Sequence, residues 1–254
     1  MTPAARLVLI LSSVLLIVTN TSAQSTAPQT EIYTRRNTVT LFAEYSNDSS
    51  HILLGVTPNR KFTALGAQYE RRLLHRHNIA WSYAAELRPL VFESDPLASG
   101  TETFMGTAGG IPINDTYAFG PYATFKCIPG TAVYTKGPPD PIVHTVNTTC
   151  SREWSYAQGV SPLGTRVNLR THHRLQPTVS GFGGYLFSTH PIPLAYAGSF
   201  NFTFEIGAGL ELFRSTHRSL RVEYNIQHFS NHFTANQNPG VDNGLFKLTY
   251  AFGW

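Results

Sequence analysis

Apolar and polar residues alternate with a period of two most clearly over residues 200–212. Every even-numbered position in this segment is apolar, and every odd-numbered position is polar or glycine. A period of two is typical of a β-strand with one apolar face, and an average strand of a soluble protein has only about five or six residues. A tilted strand needs about ten residues to cross a bilayer. The pattern therefore predicts a membrane-spanning strand.

The same pattern returns at the end of the chain. One face of this segment carries only apolar residues, namely Phe246, Leu248, Tyr250, Phe252 and Trp254. A terminal aromatic residue within a strand is a C-terminal signature of bacterial outer-membrane barrels. Weaker alternation predicts further strands at 38–46, 51–56, 62–73, 78–91, 176–187 and 219–228. About eight strands, an even number, predict an all-β fold, an eight-stranded antiparallel outer-membrane β-barrel.

Charged residues fall on the polar parity of the predicted strands. The interior of so narrow a barrel is filled by side chains, so these residues are expected to form a buried polar network. The alternative is a soluble β-sandwich or lipocalin-like barrel, whose apolar face would point inward. The residues expected inside are Glu44, Glu86, Arg88, Glu205, Glu211, Arg221, Glu223 and Lys247.

The alternation disappears over about residues 93–173, where Pro, Gly, Thr and Asn dominate. We expect this segment to be a long inserted surface loop without long strands. It contains both cysteines of the chain, Cys127 and Cys150. In an exported protein they are a plausible disulfide, which would contribute roughly 3 kcal/mol of stability. One Cys pair without paired histidines nearby supplies too few ligands for zinc, so no metal site is expected.

The first residues have the order of a secretory signal peptide. Arg6 precedes the apolar stretch 7–18, and small residues follow up to Ala23. That stretch is too short to span a membrane, so residues 1–23 are predicted to be a cleaved signal peptide and 24–254 the β-barrel domain. The alternative is an uncleaved amphipathic anchor.

Composition narrows the class of protein further. Charged residues make up 13% of the chain, against roughly 25% in soluble domains. The net charge of +4 is scattered, so nucleic acid is not an expected partner. After the N-terminal segment no apolar run approaches the roughly 18 to 20 residues of a spanning helix. Helical membrane proteins are thereby excluded, and barrels are not.

Candidate chemistry lies at the end of the penultimate predicted strand. His228 and Ser230 share the parity of the apolar residues Leu220, Val222, Tyr224 and Ile226. They would lie about 6.6 Å apart along the strand, where an imidazole and a hydroxyl can lean together as in an activated serine nucleophile. Alternatively, the strand has already emerged among lipid headgroups, where His and Ser need no function.

The sequence resembles the lipid A 3-O-deacylase (PagL) family over its last hundred residues. The motif that carries the resemblance is His228-Phe229-Ser230-Asn231, followed by the segment 236–242, Asn-Gln-Asn-Pro-Gly-Val-Asp. Segments 159–164, 181–184 and 200–203 are also similar. The resemblance implies an eight-stranded barrel in the bacterial outer membrane. It also implies a serine-type ester hydrolase that removes an acyl chain from lipid A of lipopolysaccharide in the outer leaflet, without a cofactor.

The same resemblance assigns roles to individual residues. Ser230 matches the nucleophile and His228 the general base, while Asp242 falls where the family has a Glu. Asn231 and Asn238 match conserved asparagines, and Asn238 is the candidate oxyanion donor. The rival hypothesis is a non-enzymatic structural or adhesive barrel whose long loop binds a partner.

Overall fold

The computed structural model describes residues 32–46, 49 and 51–254, which form ten antiparallel strands. The predicted signal peptide and the start of the predicted barrel domain at residue 24 lie outside these residues. Within the described part of the chain, no helix has the length and apolar character needed to cross a membrane. The strands are β1 (Asn37–Ser46), β2 (Lys61–Arg76), β3 (Ile79–Ala108), β4 (Ile111–Ala123), β5 (Gly130–Lys136), β6 (Ile142–Leu169), β7 (Leu175–Ser188), β8 (Phe200–Phe213), β9 (Arg218–Ser230) and β10 (Val241–Gly253).

Eight of these strands close into a ring. Neighbours in the sheet run β4-β3-β2-β1-β10-β9-β8-β7-β6-β5, and an additional β3–β6 pairing closes the barrel. The ring therefore consists of β1, β2, β3 and β6 to β10, whereas β4 and β5 flank β3 and β6 outside it. This confirms the predicted eight-stranded antiparallel barrel.

The barrel wall is apolar outside and polar inside. Along β9, Val222 and Tyr224 are exposed, whereas Arg221 and Glu223 between and beside them are buried. A soluble β-sandwich or lipocalin-like barrel would have the opposite arrangement, with its apolar face inside. The outer belt includes Leu41, Leu65, Trp81, Leu87, Val179, Phe204, Ile206, Leu210, Phe246 and Leu248.

Ion pairs fill the interior as predicted, and all eight charged residues expected there are buried. Arg88 pairs with Glu44 at 2.9 Å, and Lys247 pairs with the same carboxylate at 3.0 Å. Nearer the barrel end that carries the β8–β9 turn, Arg221 pairs with Glu70 at 2.7 Å. Because an unpaired buried charge is costly, each of these ions depends on its partners.

An apolar cluster closes the interior at the end of the barrel that carries β9 residue Ser230. Phe62, Phe229 and Val241 belong to this cluster together with Ile192 of the β7–β8 loop. Phe229 lies between His228 and Ser230 in the sequence and is fully buried. The core therefore fixes the backbone from which both candidate side chains project outward.

The prediction of a long inserted loop at 93–173 is wrong, because most of this segment is β-strand. β3 has 30 residues and β6 has 28, and they pair far beyond the barrel with β4 and β5 at their sides. Both faces of this four-stranded extension are largely exposed, so its strands need no alternation of apolar and polar residues. The predicted disulfide is present, with 5.8 Å between the Cα atoms of Cys127 and Cys150.

The strand predicted at 51–56 is also absent, and β6 takes its place in the ring. Residues 51–54 form bends, and the amide of Val56 donates to the carbonyl of Gly240 at 2.9 Å. The backbone of this segment thus bonds to the loop residue Gly240 and does not pair in the ladder of a neighbouring strand.

The two ends of the barrel differ in loop length. One end has the short turns 77–78, 170–174 and 214–217, together with the chain terminus, where Trp254 accepts hydrogen bonds from Arg36 and Asn37. The other end has the connections 47–60, 189–199 and 231–240 and the extension. Outer-membrane barrels have short periplasmic turns and longer extracellular loops, so Ser230 lies at the end with extracellular character.

Candidate active site

His228 and Ser230 project from the outer face of β9, in agreement with their predicted parity. Both side chains are partly exposed, while Gln227, Phe229 and Asn231 on the opposite parity are buried. The inward residues pack in the barrel interior, and the outward ones lie on the outer surface of the barrel. An imidazole and a hydroxyl, two residues apart on one strand, are thereby presented to the exterior.

Asp242 lies directly opposite His228 in the register of β9 and β10. The Nδ1 atom of His228 is 2.7 Å from Oδ1 of Asp242. A carboxylate only accepts, so Nδ1 carries the proton of this hydrogen bond and Nε2 is the nitrogen left to accept another. The loop of residues 231–240 brings the acid back beside the base, as the sequence predicts.

The loop between β1 and β2 covers the carboxylate of Asp242. The amide of Ile52 donates to Oδ2 at 3.0 Å, and the amide of Leu53 donates to the same oxygen. Asp242 is completely buried by this cover, although its parity points outward. The backbone amides satisfy an ionised group that would otherwise face lipid. Sequence reasoning missed these donors, since a backbone amide has no residue type that marks it.

Two glycines allow close packing around the pair. A Cβ at Gly240 would lie 2.6 Å from Cε1 of His228, and one at Gly55 would lie 2.8 Å from Cγ of Asp242. Real Cβ atoms do not approach so closely. Glycine is therefore required wherever the backbone lies directly against the imidazole and the carboxylate.

The two predicted asparagines occupy different settings. The amide nitrogen of Asn231 donates to the carbonyls of Ala197 and Gln237, and its Oδ1 accepts from the amide of Phe233 at 2.9 Å. Asn231 thus joins the β7–β8 and β9–β10 loops and has its amide committed. Asn238 is partly exposed.

Aromatic rings line the outer wall beside Ser230. Phe202 on β8 is the register partner of Ser230, and its ring centroid is 6.0 Å from that of His232 and 5.0 Å from that of Phe200. Tyr185 and Phe187 on β7 extend the cluster. Aromatic girdles mark the membrane interfaces of such barrels, so Ser230 lies at interface level.

Three carboxylates lie close together in the barrel interior. Among the described residues, Glu44, Glu86 and Glu205 have carboxylate oxygens within 4.8 Å of one another, as a metal site requires. Arg88 and Lys247 form ion pairs with all three. Two cations of the protein thus already compensate these charges.

Comparison with known proteins bears directly on this site. Residues 134–251 match the model of a family described as lipid A 3-O-deacylase (PagL). This confirms the resemblance to PagL. The PagL match contains His228, Ser230 and Asp242 and leaves strands β1 to β4 outside it. With the apolar outer belt of the closed barrel, the PagL match assigns the chain to the bacterial outer membrane.

Solved structures give a weaker comparison. The crystal structure of the outer membrane enzyme PagL has 11% identity and a TM-score of 0.46, over 85% of this chain and 99% of that one. Neisserial surface protein A has 8% identity and a TM-score of 0.43, over 86% and 97%. OprG from Pseudomonas aeruginosa has 11% identity and a TM-score of 0.36, over 88% and 100%. A search of curated proteins found no match.

Proposed function

We propose that the protein is an outer-membrane ester hydrolase that removes an ester-linked acyl chain from lipid A of lipopolysaccharide. The observation that carries the proposal is the 2.7 Å hydrogen bond between His228 and Asp242 on the outer face of the barrel, two residues from Ser230. The PagL match supports the choice of lipid A as the substrate.

In the proposed reaction His228 acts as the general base and Ser230 as the nucleophile. Nε2 of His228 accepts the hydroxyl proton while Ser230 Oγ bonds to the ester carbonyl carbon. Asp242, bonded to Nδ1, stabilises the imidazolium that forms. The tetrahedral intermediate collapses when the bond to the sugar oxygen breaks, and His228 gives its proton to that oxygen. The fatty acid is left as an ester of Ser230.

Water then hydrolyses the acyl-enzyme by the same proton transfers in reverse order. His228 takes a proton from the water, which attacks the acyl-enzyme, and the proton returns to Ser230 as the fatty acid leaves. The proposed oxyanion donor is the side-chain amide of Asn238, whereas Asn231 is assigned to loop positioning because its amide is already bonded. None of these steps requires a cofactor.

The location of the residues suits a substrate that stays in the membrane. Ser230 lies on the outer wall beside the aromatic cluster of Phe202, at interface level. The acyl esters of an outer-leaflet glycolipid lie at the boundary between its sugars and its hydrocarbon chains. Such a lipid needs only lateral diffusion to bring an ester to the serine.

Mass spectrometry of lipid A tests this function. The protein is expressed in a bacterium whose lipid A keeps all its ester-linked chains, and the barrel fold is checked by heat-modifiable migration. We expect a lipid A species lighter by one acyl chain, together with the free fatty acid. An unchanged lipid A spectrum from a folded, exported protein would favour the rival, a non-enzymatic barrel that binds through its extension.

A further inference from the structure

The two oxygens of Asp242 have separate partners. Oδ1 bonds to the imidazole of His228, and Oδ2 bonds to the amides of Ile52 and Leu53 in the β1–β2 loop. The orientation of the carboxylate toward the imidazole therefore depends on the loop that holds its other oxygen. Residues 51–57, which supply these donors and the contacts below, are called the strap.

The strap is fastened to the backbone just before β10. The carbonyl of Gly240 accepts hydrogen bonds from the amide of Val56 at 2.9 Å and from the amide and hydroxyl of Thr57 at 3.3 and 2.8 Å. Gly240 is the residue that packs on the imidazole of His228. One carbonyl thus joins the strap to the backbone that sets the positions of both His228 and Asp242.

The hydroxyl of Thr57 is the side-chain part of this fastening. Thr57 is only 2% exposed, and its carbonyl accepts from the hydroxyl of Ser49 at 3.0 Å. Nearer the acid, His51 Nδ1 lies 2.6 Å from the carbonyl of Gly55 and closes the turn that carries the donors. The strap is thus fastened at its Thr57 end to Gly240 and Ser49, and a hydrogen bond within it closes the turn that holds the carboxylate.

The strap stabilises a carboxylate that lies on the outer face of the barrel. An ionised carboxylate on the outer parity of β10 would face lipid, where a charge without partners is costly. Oriented amide donors replace water around that charge and leave one oxygen directed at the imidazole. A strap that moved away would leave the carboxylate free to turn toward water.

We propose that the strap positions the catalytic acid and that Thr57, through its hydrogen bond to Gly240, is a positioning residue for the reaction. This inference rests on the proposed function. The hydrogen bonds of Thr57 go to Gly240 and Ser49, so its effect on the reaction passes through the backbone that positions Asp242 and His228.

Conservative substitutions at Thr57 separate positioning from packing. Thr57→Val removes the hydroxyl at nearly constant volume, and Thr57→Ser keeps the donor. Thr63→Val is the matched control, since Thr63 Oγ1 donates to the carbonyl of Glu44 at 2.9 Å elsewhere in the wall. We expect Thr57→Val to lower kcat about tenfold with little change in KM, and Thr57→Ser and Thr63→Val to stay near the parent.

A spectroscopic signature tests the same inference without turnover. The proton on Nδ1 of His228, bonded to a carboxylate, should resonate far downfield in protein with isotope-labelled histidine. Thr57→Val should shift or broaden this signal, whereas Thr57→Ser and Thr63→Val should preserve it. Recording it in the Ser230→Ala background keeps the test valid if the protein proves not to be a deacylase.

The outcomes are distinct. Parental kcat and an unchanged His228 signal in folded Thr57→Val would overturn the positioning role. If Thr57→Val does not fold, Gly55→Ala disturbs the strap from the other side, because its Cβ would lie 2.8 Å from Asp242 Cγ. An unaltered signal in that variant would overturn the proposal equally. Absence of lipid A deacylation by the parent would contradict the proposed function and leave the strap to be judged by the signal.

Discussion

At the scale of single residues, the absence of a side chain at position 240 decides how closely the backbone approaches the imidazole. A Cβ there would meet Cε1 of His228 at 2.6 Å, in a ring already held on its other side by Asp242. Gly240→Ala should therefore displace the imidazole and reduce fatty acid release at least tenfold, with the barrel still folded.

Gly181→Ala is the control for this prediction. Its added Cβ would meet nothing nearer than a carbonyl at 3.7 Å, which is ordinary contact. Turnover and heat-modifiable migration are measured for both variants. Equal turnover of Gly240→Ala and Gly181→Ala would contradict the assigned position of the ring.

The base and the acid should differ in their importance for the rate. His228→Ala removes the group that moves the proton, so turnover should fall by several orders of magnitude. Asp242→Asn should cost less, because an amide can still hold the imidazole, although without the charge that stabilises its protonated form. The measurement is fatty acid release from lipid A by folded variants. A larger loss for Asp242→Asn than for His228→Ala would reverse these roles.

At the scale of structural elements, the disulfide belongs to the extension and not to the barrel. Cys127 lies in the β4–β5 connection and Cys150 in β6, and the bond closes 23 residues of sequence. Cross-linking such a loop stabilises by roughly 3 kcal/mol, and Cys150 precedes residues 157–168 of β6, which pair with β7 in the ring.

The double variant Cys127→Ser/Cys150→Ser should therefore loosen the extension alone. We expect protease cleavage within residues 109–141 to become faster, while heat-modifiable migration and lipid A deacylation stay at the parental level. Reduction of the parent protein should have the same effect. Collapse of the barrel in the double variant would show that the extension and the ring fold as one unit.

Apart from residues 51–56, the strands that the sequence predicts all belong to the ring, whereas the ring part of β6 is missed because Gly159, Pro162 and Gly164 interrupt its apolar pattern. Strands such as β8 and β9 alternate because their outer residues meet hydrocarbon and their inner residues meet the ion-pair network. The extension strands β4 and β5 have solvent on both faces, so no alternation marks them. Residues 51–56 of the strap resemble a strand in the sequence because they too contain an apolar run, at residues 52–54.

The candidate site also has a part that the sequence predicts and a part that it does not. Parity and spacing predict a shared outer face for His228, Ser230 and Asp242, and the structure joins two of them, His228 and Asp242, by a hydrogen bond. The amides that hold Asp242 come from residues nearly 190 positions away in the sequence. Such partners follow from the closure of the barrel, which brings β1 beside β10, and no local pattern reveals them.

At the scale of the whole molecule, the difference in loop length assigns the two barrel ends to the two sides of the membrane. Short turns and the chain terminus lie at one end, and the loop 231–240 lies at the other with the extension. In an outer-membrane barrel the long loops are extracellular, so the site should face the leaflet that contains lipopolysaccharide.

Cysteine labelling in intact cells tests this topology. Asn236→Cys places the one reactive thiol in loop 231–240, because Cys127 and Cys150 are joined to one another. A membrane-impermeant maleimide should label it without cell disruption. Cysteine at Ser215, in the short turn 214–217, is the control and should react only after the outer membrane is opened. The reverse pattern would place the site in the periplasm.

In the proposed reaction, Ser230 on the outer wall cleaves an ester of lipid A. Its most direct test is mass spectrometry of lipid A incubated with purified, folded protein in detergent micelles, with the parent compared to Ser230→Ala. We expect loss of one acyl chain with the parent and a rate lower by several orders of magnitude with the variant. Deacylation by folded Ser230→Ala at the parental rate would contradict the serine mechanism.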